Sequence, residues 1–434
     1  MADKFVIQGQ KKLSGSISVN GAKNSALKIL AALILSDKKC TITNFPFIED
    51  TMGAIELLEK LGAKVFINKE KKIVEIDPSS INLTQLDPVL VRRLRSSILF
   101  AGPMLAKFGK VQMSHPGGCV IGKRPIDMFL DGFGKFGAKV ELSDEGFELI
   151  ANPPAGGKKL VGANIFFPQI TVTGTETMMM TAVLAQGKTI LQNCAMEPEI
   201  PVLAEYLNKC GAKITGAGTS KIEVEGVEKI SGGEFDVIPD RIEAGTFVIM
   251  GLLTNSQIKV ENCIPGHLGA LLATLEKAGA KFEIGKDYVI TKPLGHSPTG
   301  EPSKLCATSM VTHEYPGFAT DLQSPYTLLM TQAQGQCIIH ESIFEGRLFF
   351  TDQLVTMGAN IIMCDPHRVV VNGPTQLHGK KLTSPDLRAG ITMVLAGMIA
   401  KGTTTIDNVF QIDRGYERIE ERLSKLGADI KRIS

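Results

Sequence analysis

Six times along the chain a helix-like stretch ends in Gly-Ala and runs directly into a strand-like segment. The copies are Gly62-Ala63, Gly137-Ala138, Gly211-Ala212, Gly279-Ala280, Gly358-Ala359 and Gly427-Ala428, with glycines 68 to 79 residues apart. A period this long suits a supersecondary unit repeated inside compact domains rather than a short-repeat solenoid. The chain therefore reads as six copies of one folding unit. Residues that depart from the common plan need a chemical explanation.

A helix-length stretch that is apolar almost all round opens each copy: Ala26–Leu35, Ser97–Ala106, Met178–Ala185, Thr246–Leu253, Leu328–Gln332 and Gly390–Ala400. An alternating run follows, as in Lys188–Asn193 and Thr403–Asn408, and then an amphipathic helix such as the one carrying Tyr416, Ile419, Leu423 and Leu426. The glycine acts as a left-handed helix stop before the next strand. A helix apolar on every side must be buried on every side, whereas an amphipathic one lies between core and solvent. Three units then make an α/β domain with three buried helices within and sheets outside, and six units make two such domains. The expected break lies near Ile238-Pro239-Asp240, which gives a first domain over 22–239 and a second over 1–21 plus 240–434. The strand-like Lys4–Gln8 needs a sheet edge, and the C-terminal domain is one candidate.

A formal net charge of +2, from 47 basic and 45 acidic residues, leaves no global field to mark a nucleic-acid or membrane partner. Any anion site must be local. The longest apolar stretches, such as Leu27 to Leu35 with Lys28 inside it, are about half a membrane span. The opening Met1-Ala2-Asp3-Lys4-Phe5 offers no signal peptide. The eight cysteines form no C-x-x-C pair, which reads as reduced, cytoplasmic thiols with no metal site.

Four segments break the common plan. The enclosed helices open with polar or charged residues: Lys23-Asn24-Ser25, Arg92-Arg93-Leu94-Arg95, Gly174-Thr175-Glu176, Asp240-Arg241, Thr320-Asp321 and Asp386-Leu387-Arg388. Ser, Thr and Asp there are ordinary caps, but Lys and Arg oppose the helix dipole. Helices packed in parallel would instead present Lys23, Arg95, Arg241 and Arg388 beside free N–H groups on two anion-seeking faces. Second, the link Ser114–Asp127 is swollen with Gly and Pro and carries Cys119 just ahead of Lys123 and Arg124. Flanking glycines and two cations would make this thiol exposed and reactive, while the other seven cysteines read as buried filler. Third, Asp321 in Glu314–Gln323 is either a helix cap or a general base for a substrate hydroxyl. Fourth, Arg414 in Ile412–Arg418 enters the last amphipathic helix from a strand end, either as a solvated charge or as an anion ligand.

With these segments in hand, the chain resembles the enolpyruvyl transferases, on motifs that run in family order over essentially its whole length. They are Asn20-Gly21-Ala22-Lys23-Asn24-Ser25-Ala26-Leu27, Pro116-Gly117-Gly118-Cys119 with Arg124-Pro125-Ile126-Asp127, Glu197-Pro198-Glu199 and Pro239-Asp240-Arg241-Ile242-Glu243. Thr320-Asp321, Asp386-Leu387-Arg388 and Asp413-Arg414-Gly415-Tyr416-Glu417-Arg418 complete the set. The resemblance implies two inside-out α/β barrel domains of three units each. It implies transfer of an enolpyruvyl group from phosphoenolpyruvate to the 3′-hydroxyl of UDP-N-acetylglucosamine, with no cofactor, metal, nucleic acid or membrane involved. Lys23 and Arg124 would hold the phosphate of the donor, and Arg388 and Arg414 its carboxylate. Cys119 would protonate the methylene carbon or form an adduct, and family members are alkylated there by fosfomycin. Asp321 would take the hydroxyl proton, Asn24 would contact the sugar, and Ile343 would line the sugar site. Arg95, Arg124, Pro125, Ile126 and Asp127 would hold the uridine diphosphate.

Some positions differ from the family pattern: Met196 for a frequent Arg, Ala319 for Pro, His115 for an aliphatic residue, and Phe129 for a frequent His. None removes a proposed catalytic group, though Phe129 leaves open how the uridine end is read. Two rivals remain at this level. One is the shikimate-pathway enolpyruvyl transferase, disfavoured by the Pro-Gly-Gly-Cys loop and the Asn-Gly-Ala-Lys-Asn opening. The other is a catalytically silent paralogue that binds a nucleotide sugar, disfavoured because every proposed catalytic side chain is present.

Overall fold

The structure is a computed structural model that describes residues 3–117, 121–122, 125–152, 160–295 and 303–434. It divides into two compact units. The N-terminal unit runs from Gly21 to Ile238 apart from Ile121–Gly122. The C-terminal unit takes the chain up to Asn20, Ile121–Gly122 and everything from Pro239 onward.

Among the described residues each unit holds three open sheets, and none of these six closes into a barrel. Five share one plan: a parallel edge strand, then a three-stranded antiparallel ladder. In the first, Glu234–Asp236 runs parallel to Cys40–Thr43, which pairs antiparallel with Ile73–Asp77, itself antiparallel to Lys64–Asn68. The sheet of Lys110–Ser114, Gly146–Ala151 and Ala138–Ser143 has three strands, and a single parallel bridge, Gln85 to Gln112, marks its edge.

Two strands are exchanged relative to chain order. Gly15–Ser18 pairs parallel with Ile258–Glu261 in the C-terminal unit, while Glu234–Asp236 completes the first sheet of the N-terminal unit. The chain thus passes between units at Asn20/Gly21 and at Ile238/Pro239, besides the stretch that places Ile121–Gly122 with the C-terminal unit. On one side of these crossings Asp240 N donates to Asn20 O (2.9 Å), and on the other Ala22 N donates to Ile238 O (2.7 Å). The N-terminal strand Lys4–Gln8 lies between Thr403–Asp407 and Asp429–Ile433, antiparallel to both. It is the central ladder strand that the sixth repeat lacks in its own sequence.

The apolar stretches become buried helices: Lys23–Ala32, Ala101–Phe108, Val172–Ala182, Arg241–Leu253, Gln323–Met330 and Leu387–Ile399. All six repeat glycines have φ between +88° and +110°, the left-handed conformation that stops each amphipathic helix without strain. The fifth enclosed helix begins five residues earlier than its hydrophobicity suggests, because its first turns bury Gln323, Ser324 and Thr327. Gln323 Nε2 donates to Thr327 Oγ1 (2.7 Å) and Ser324 Oγ to Arg388 O (3.1 Å), which offsets the desolvation that polarity would otherwise cost there. Arg92 and Arg93 do not open the second enclosed helix. They end a separate short helix, Pro88–Arg93, that Asp87 caps, and both are exposed. Among the described residues no helix is long and apolar enough to cross a membrane.

Candidate active site

In the C-terminal unit the N-termini of the three enclosed helices converge. Asp240 and Asp386 cap two of them, each with one carboxylate oxygen accepting from two backbone N–H groups at 2.7–3.1 Å. Asp321 is not a cap. It sits in the single turn Thr320–Leu322 ahead of the third helix, and its side chain points to arginines. Its Oδ1 accepts from Arg347 (2.6 Å), and its Oδ2 accepts from both Nε (3.1 Å) and NH2 (2.8 Å) of Arg388.

Arg388 is only 4% exposed, and its NH1 donates to the Tyr416 hydroxyl (3.3 Å). Burial works against this guanidinium, but Asp321, Tyr416 and Asp240 outweigh it and hold it firmly charged. Burial in turn raises the Tyr416 hydroxyl and the Asp240 carboxyl, with Arg388 opposing both shifts. A permanent cation therefore sits where the helix dipoles also favour an anion.

Arg414 is 7% exposed and follows the short helix Phe410–Asp413, with NH1 on Gln411 Oε1 (2.9 Å). It does not enter the last amphipathic helix, Ile419–Lys425, which starts five residues later. The intervening turn is what carries Tyr416 inward to Arg388. Asp413, beside Arg414, is gripped by Arg432 at 2.6 and 2.9 Å, so the C-terminal strand braces this segment. Ile343 is half-buried in the turn that follows Glu341.

In the N-terminal unit Lys23 opens its helix and donates to Asp50 (3.2 Å), with Asn24 half-buried beside it. One turn further on, Lys28 meets the wholly buried Glu176 at 2.7 Å. Burial pushes the Glu176 carboxyl up to about 8, against the pull of Lys28. Arg95 NH1 donates to Pro116 O (3.3 Å), and Gly117 packs so closely that a Cβ would lie 1.7 Å from Arg92 O. The start of the Gly-rich link is thereby pinned to the segment that carries Arg95. Cys119, Lys123 and Arg124 lie outside the described residues. Pro125 and Asp127 are exposed and Ile126 half-buried where helix Asp127–Lys135 begins. Phe129, in the first turn of that helix, is buried in the core.

The structure brings Asp321 and Arg388 into direct contact and ties Ile343 to them through Glu341, Thr320 and Arg347. Sequence reasoning missed Asp50, Glu341, Arg347 and Tyr416. The signal for Glu341 was present: four repeats carry Asn at the equivalent position, and the fifth does not. The cysteines need a correction. Cys40, Cys194, Cys210, Cys263 and Cys337 are buried, but Cys306, at an isolated bridge to Gln334, and Cys364, on strand Asn360–Asp365, are exposed and are not filler. Among the described residues no cluster of His, Cys, Asp or Glu has the makings of a metal site.

The family model of EPSP synthase (3-phosphoshikimate 1-carboxyvinyltransferase) matches residues 7–423. A UDP-N-acetylglucosamine 1-carboxyvinyltransferase of Coxiella burnetii is 42% identical over 432 residues, covering 100% of this chain and 96% of its own length. The enzyme of that name from Koribacter versatilis is 44% identical over 433 residues, with coverages of 99% and 96%. Among solved structures, the enolpyruvyl transferase NikO from Streptomyces tendae superposes with a TM-score of 0.88 at 24% identity, over 99% of both chains. EPSP synthase from Acinetobacter baumannii superposes at 0.73 with 17% identity, over the whole of both chains. In sequence and in its mixed α/β fold, this chain belongs to the EPSP synthase family of enolpyruvyl transferases, alongside the UDP-N-acetylglucosamine 1-carboxyvinyltransferases.

Proposed function

We propose that the chain transfers the enolpyruvyl group of phosphoenolpyruvate to the 3′-hydroxyl of UDP-N-acetylglucosamine and releases phosphate, the committing step of peptidoglycan precursor synthesis in the cytoplasm. The observation that carries this reading is the acid paired with a buried arginine at the converged helix ends, Asp321 on Arg388, in a chain 42–44% identical to enzymes named for that transfer. We read each unit as an inside-out barrel, with its enclosed helices as the core. The support is that helix Leu387–Ile399 buries every residue from Leu387 to Met398.

The chemistry follows from charge. Protonation at C3 of phosphoenolpyruvate makes C2 electrophilic, and the sugar oxygen adds there while Asp321 accepts its proton. In the resulting tetrahedral species the C2–O bond to phosphate breaks as a C3 proton leaves, which restores the double bond. Cys119 is the assigned C3 acid or adduct-forming thiol, and so the residue open to alkylation by fosfomycin. Lys23 and Arg124 are assigned to the phosphate, Arg388 and Arg414 to the carboxylate, because fixed cations need no reorganisation as charge moves. Asn24 and Ile343 are assigned to the sugar, and Arg95, Arg124 and Pro125–Asp127 to the uridine diphosphate.

A phosphate-release assay with both acceptors tests this. Release with UDP-N-acetylglucosamine and none with shikimate 3-phosphate is expected. Release only with shikimate 3-phosphate reassigns the acceptor, and binding of the sugar nucleotide without any release makes the chain a silent paralogue.

A further inference from the structure

We propose that Glu341 is a positioning residue that holds the proton acceptor and the sugar-lining turn in one register, and so sets acceptor affinity. The inference rests on the reading of Asp321 as base and Ile343 as sugar contact given above.

The repeat provides the comparison. In four of the six units, the residue after the first ladder strand is an Asn with positive φ. Its side-chain amide donates to the neighbouring edge segment: Asn44 to Val237 O, Asn193 to Phe167 O, Asn262 to Val19 O and Asn408 to Ser384 O, all at 2.7–2.9 Å. That amide is a clamp, and a carboxylate, which only accepts, cannot replace it. In the fifth unit the position is Glu341, and the clamp passes to its neighbours. Ser342 N donates to Thr312 Oγ1 (2.9 Å) and Ser342 Oγ to Thr312 O (2.5 Å).

Relieved of clamping, Glu341 is nevertheless 0% exposed, a costly place for a carboxylate unless donors surround it. Three do. Oε1 accepts from Ile343 N (3.0 Å) and Phe344 N (3.1 Å), and Oε2 accepts from Thr320 Oγ1 (2.7 Å). Its backbone is held from the other side, with Glu341 N on His367 O (2.7 Å) and the His367 ring nitrogen on Glu341 O (2.6 Å). Thr320 Oγ1 also accepts from Arg347 NH1 (3.1 Å), the same nitrogen that binds Asp321 Oδ1 (2.6 Å). One buried carboxylate thus joins two segments twenty-one residues apart in sequence, the one with the base and the one with Ile343.

Glu341→Gln keeps the volume and can still accept both backbone N–H groups, but its NH2 now faces the Thr320 hydroxyl as donor against donor. The Thr320 hydroxyl must turn to accept from that NH2 beside Arg347, and the charge-assisted bond that anchors Thr320, Arg347 and Asp321 is replaced by a weaker neutral one. Steady-state kinetics and calorimetric binding of UDP-N-acetylglucosamine test this, with wild type alongside. In Glu341→Gln we expect the KM and the dissociation constant for the sugar nucleotide to rise about tenfold and kcat to fall about tenfold, with the KM for phosphoenolpyruvate within about twofold. Thr320→Val, which cuts the same link without touching the turn, should lower kcat by a similar factor. The two changes together should cost no more than either alone. Equal rises in both KM values, unchanged sugar-nucleotide affinity, or additive losses in the double variant overturn the proposal. A loss of folding in Glu341→Gln leaves Thr320→Val to decide it, since a normal kcat there sinks the link by itself. An inactive wild type would instead sink the functional reading, and the binding arm would still report on Glu341.

Discussion

Asp321 fills the Nε–NH2 edge of Arg388 with a single carboxylate oxygen, at 3.1 and 2.8 Å. That edge is the fork with which an arginine takes a carboxylate in two-pronged fashion. The third nitrogen is on Tyr416, and the group is almost wholly buried. A substrate carboxylate that reaches this fork therefore displaces Asp321, and the displacement frees an acid oxygen to accept a proton.

Asp321→Ala should accordingly bind phosphoenolpyruvate about tenfold more tightly than its parent, because an internal competitor for a charge-assisted contact is gone. Calorimetry without acceptor, in a Cys119→Ser background that prevents adduct formation, measures it. Phosphate release should fall by at least about 100-fold in the otherwise unmodified enzyme. Affinity unchanged or weakened would mean that Arg388 does not take the donor carboxylate.

The buried thiols offer a second check. Burial pushes Cys194, Cys263 and Cys337 up to about 11, which leaves almost no thiolate at neutral pH. Cys119→Ser should abolish turnover and fosfomycin alkylation together, whereas Cys194→Ser should change neither. Peptide mass mapping after treatment at pH 7.5 reads the alkylation, and label on Cys119 absent from wild type would remove the thiol from the mechanism.

Glu176 predicts a pH signature in stability. Its folded carboxyl lies near 8 and its unfolded one near 4.5, with burial as the main cause. Between those values the folded protein holds a proton that the unfolded chain releases, so stability falls as pH rises through the window. The contribution is fully present below pH 4.5 and lost above pH 8, and amounts to at most on the order of 5 kcal/mol. Glu176→Gln should flatten the decline in Tm between pH 5.5 and 8.5. Parallel curves for variant and wild type would show that Lys28, 2.7 Å away, keeps the carboxyl ionised throughout.

Deletion of residues 1–8 should leave the chain insoluble or unfolded, although it removes under one-fiftieth of the sequence. Lys4–Gln8 is paired on both sides, so its loss opens a gap inside a sheet and empties the core space that Phe5 and Ile7, both 0% exposed, now fill. Circular dichroism of the truncated protein decides it, and native-like thermal unfolding would contradict the pairing.

Much of the fold is readable locally. Gly62 and its five counterparts announce helix ends because only a residue without a Cβ adopts their φ freely, and that requirement acts within one turn of chain. Enclosed helices show as unbroken apolar runs for the same local reason, and where polar residues enter one, as in Gln323–Thr327, the boundary shifts. Arg388 was legible as a charge that capping does not explain and Asp321 as either a cap or a base, whereas Arg347 carried no signal and Glu341 only its departure from the repeated Asn. Each sits in an ordinary-looking surface link, and its role depends on what lies across from it in space.

Sequence alone determined the six-unit plan, the helix stops and the candidate ionic residues, since these follow from side-chain size, periodicity and backbone freedom over a few residues. Tertiary structure alone decided the rest. It set which strand enters which sheet, with Gly15–Ser18 and Glu234–Asp236 exchanged and Lys4–Gln8 completing the last repeat. It also decided that Asp321 faces two arginines rather than a helix end. Both are contacts between residues tens to hundreds of positions apart, and the free energy that selects them, burial and charge pairing, is defined only once the distant partners meet.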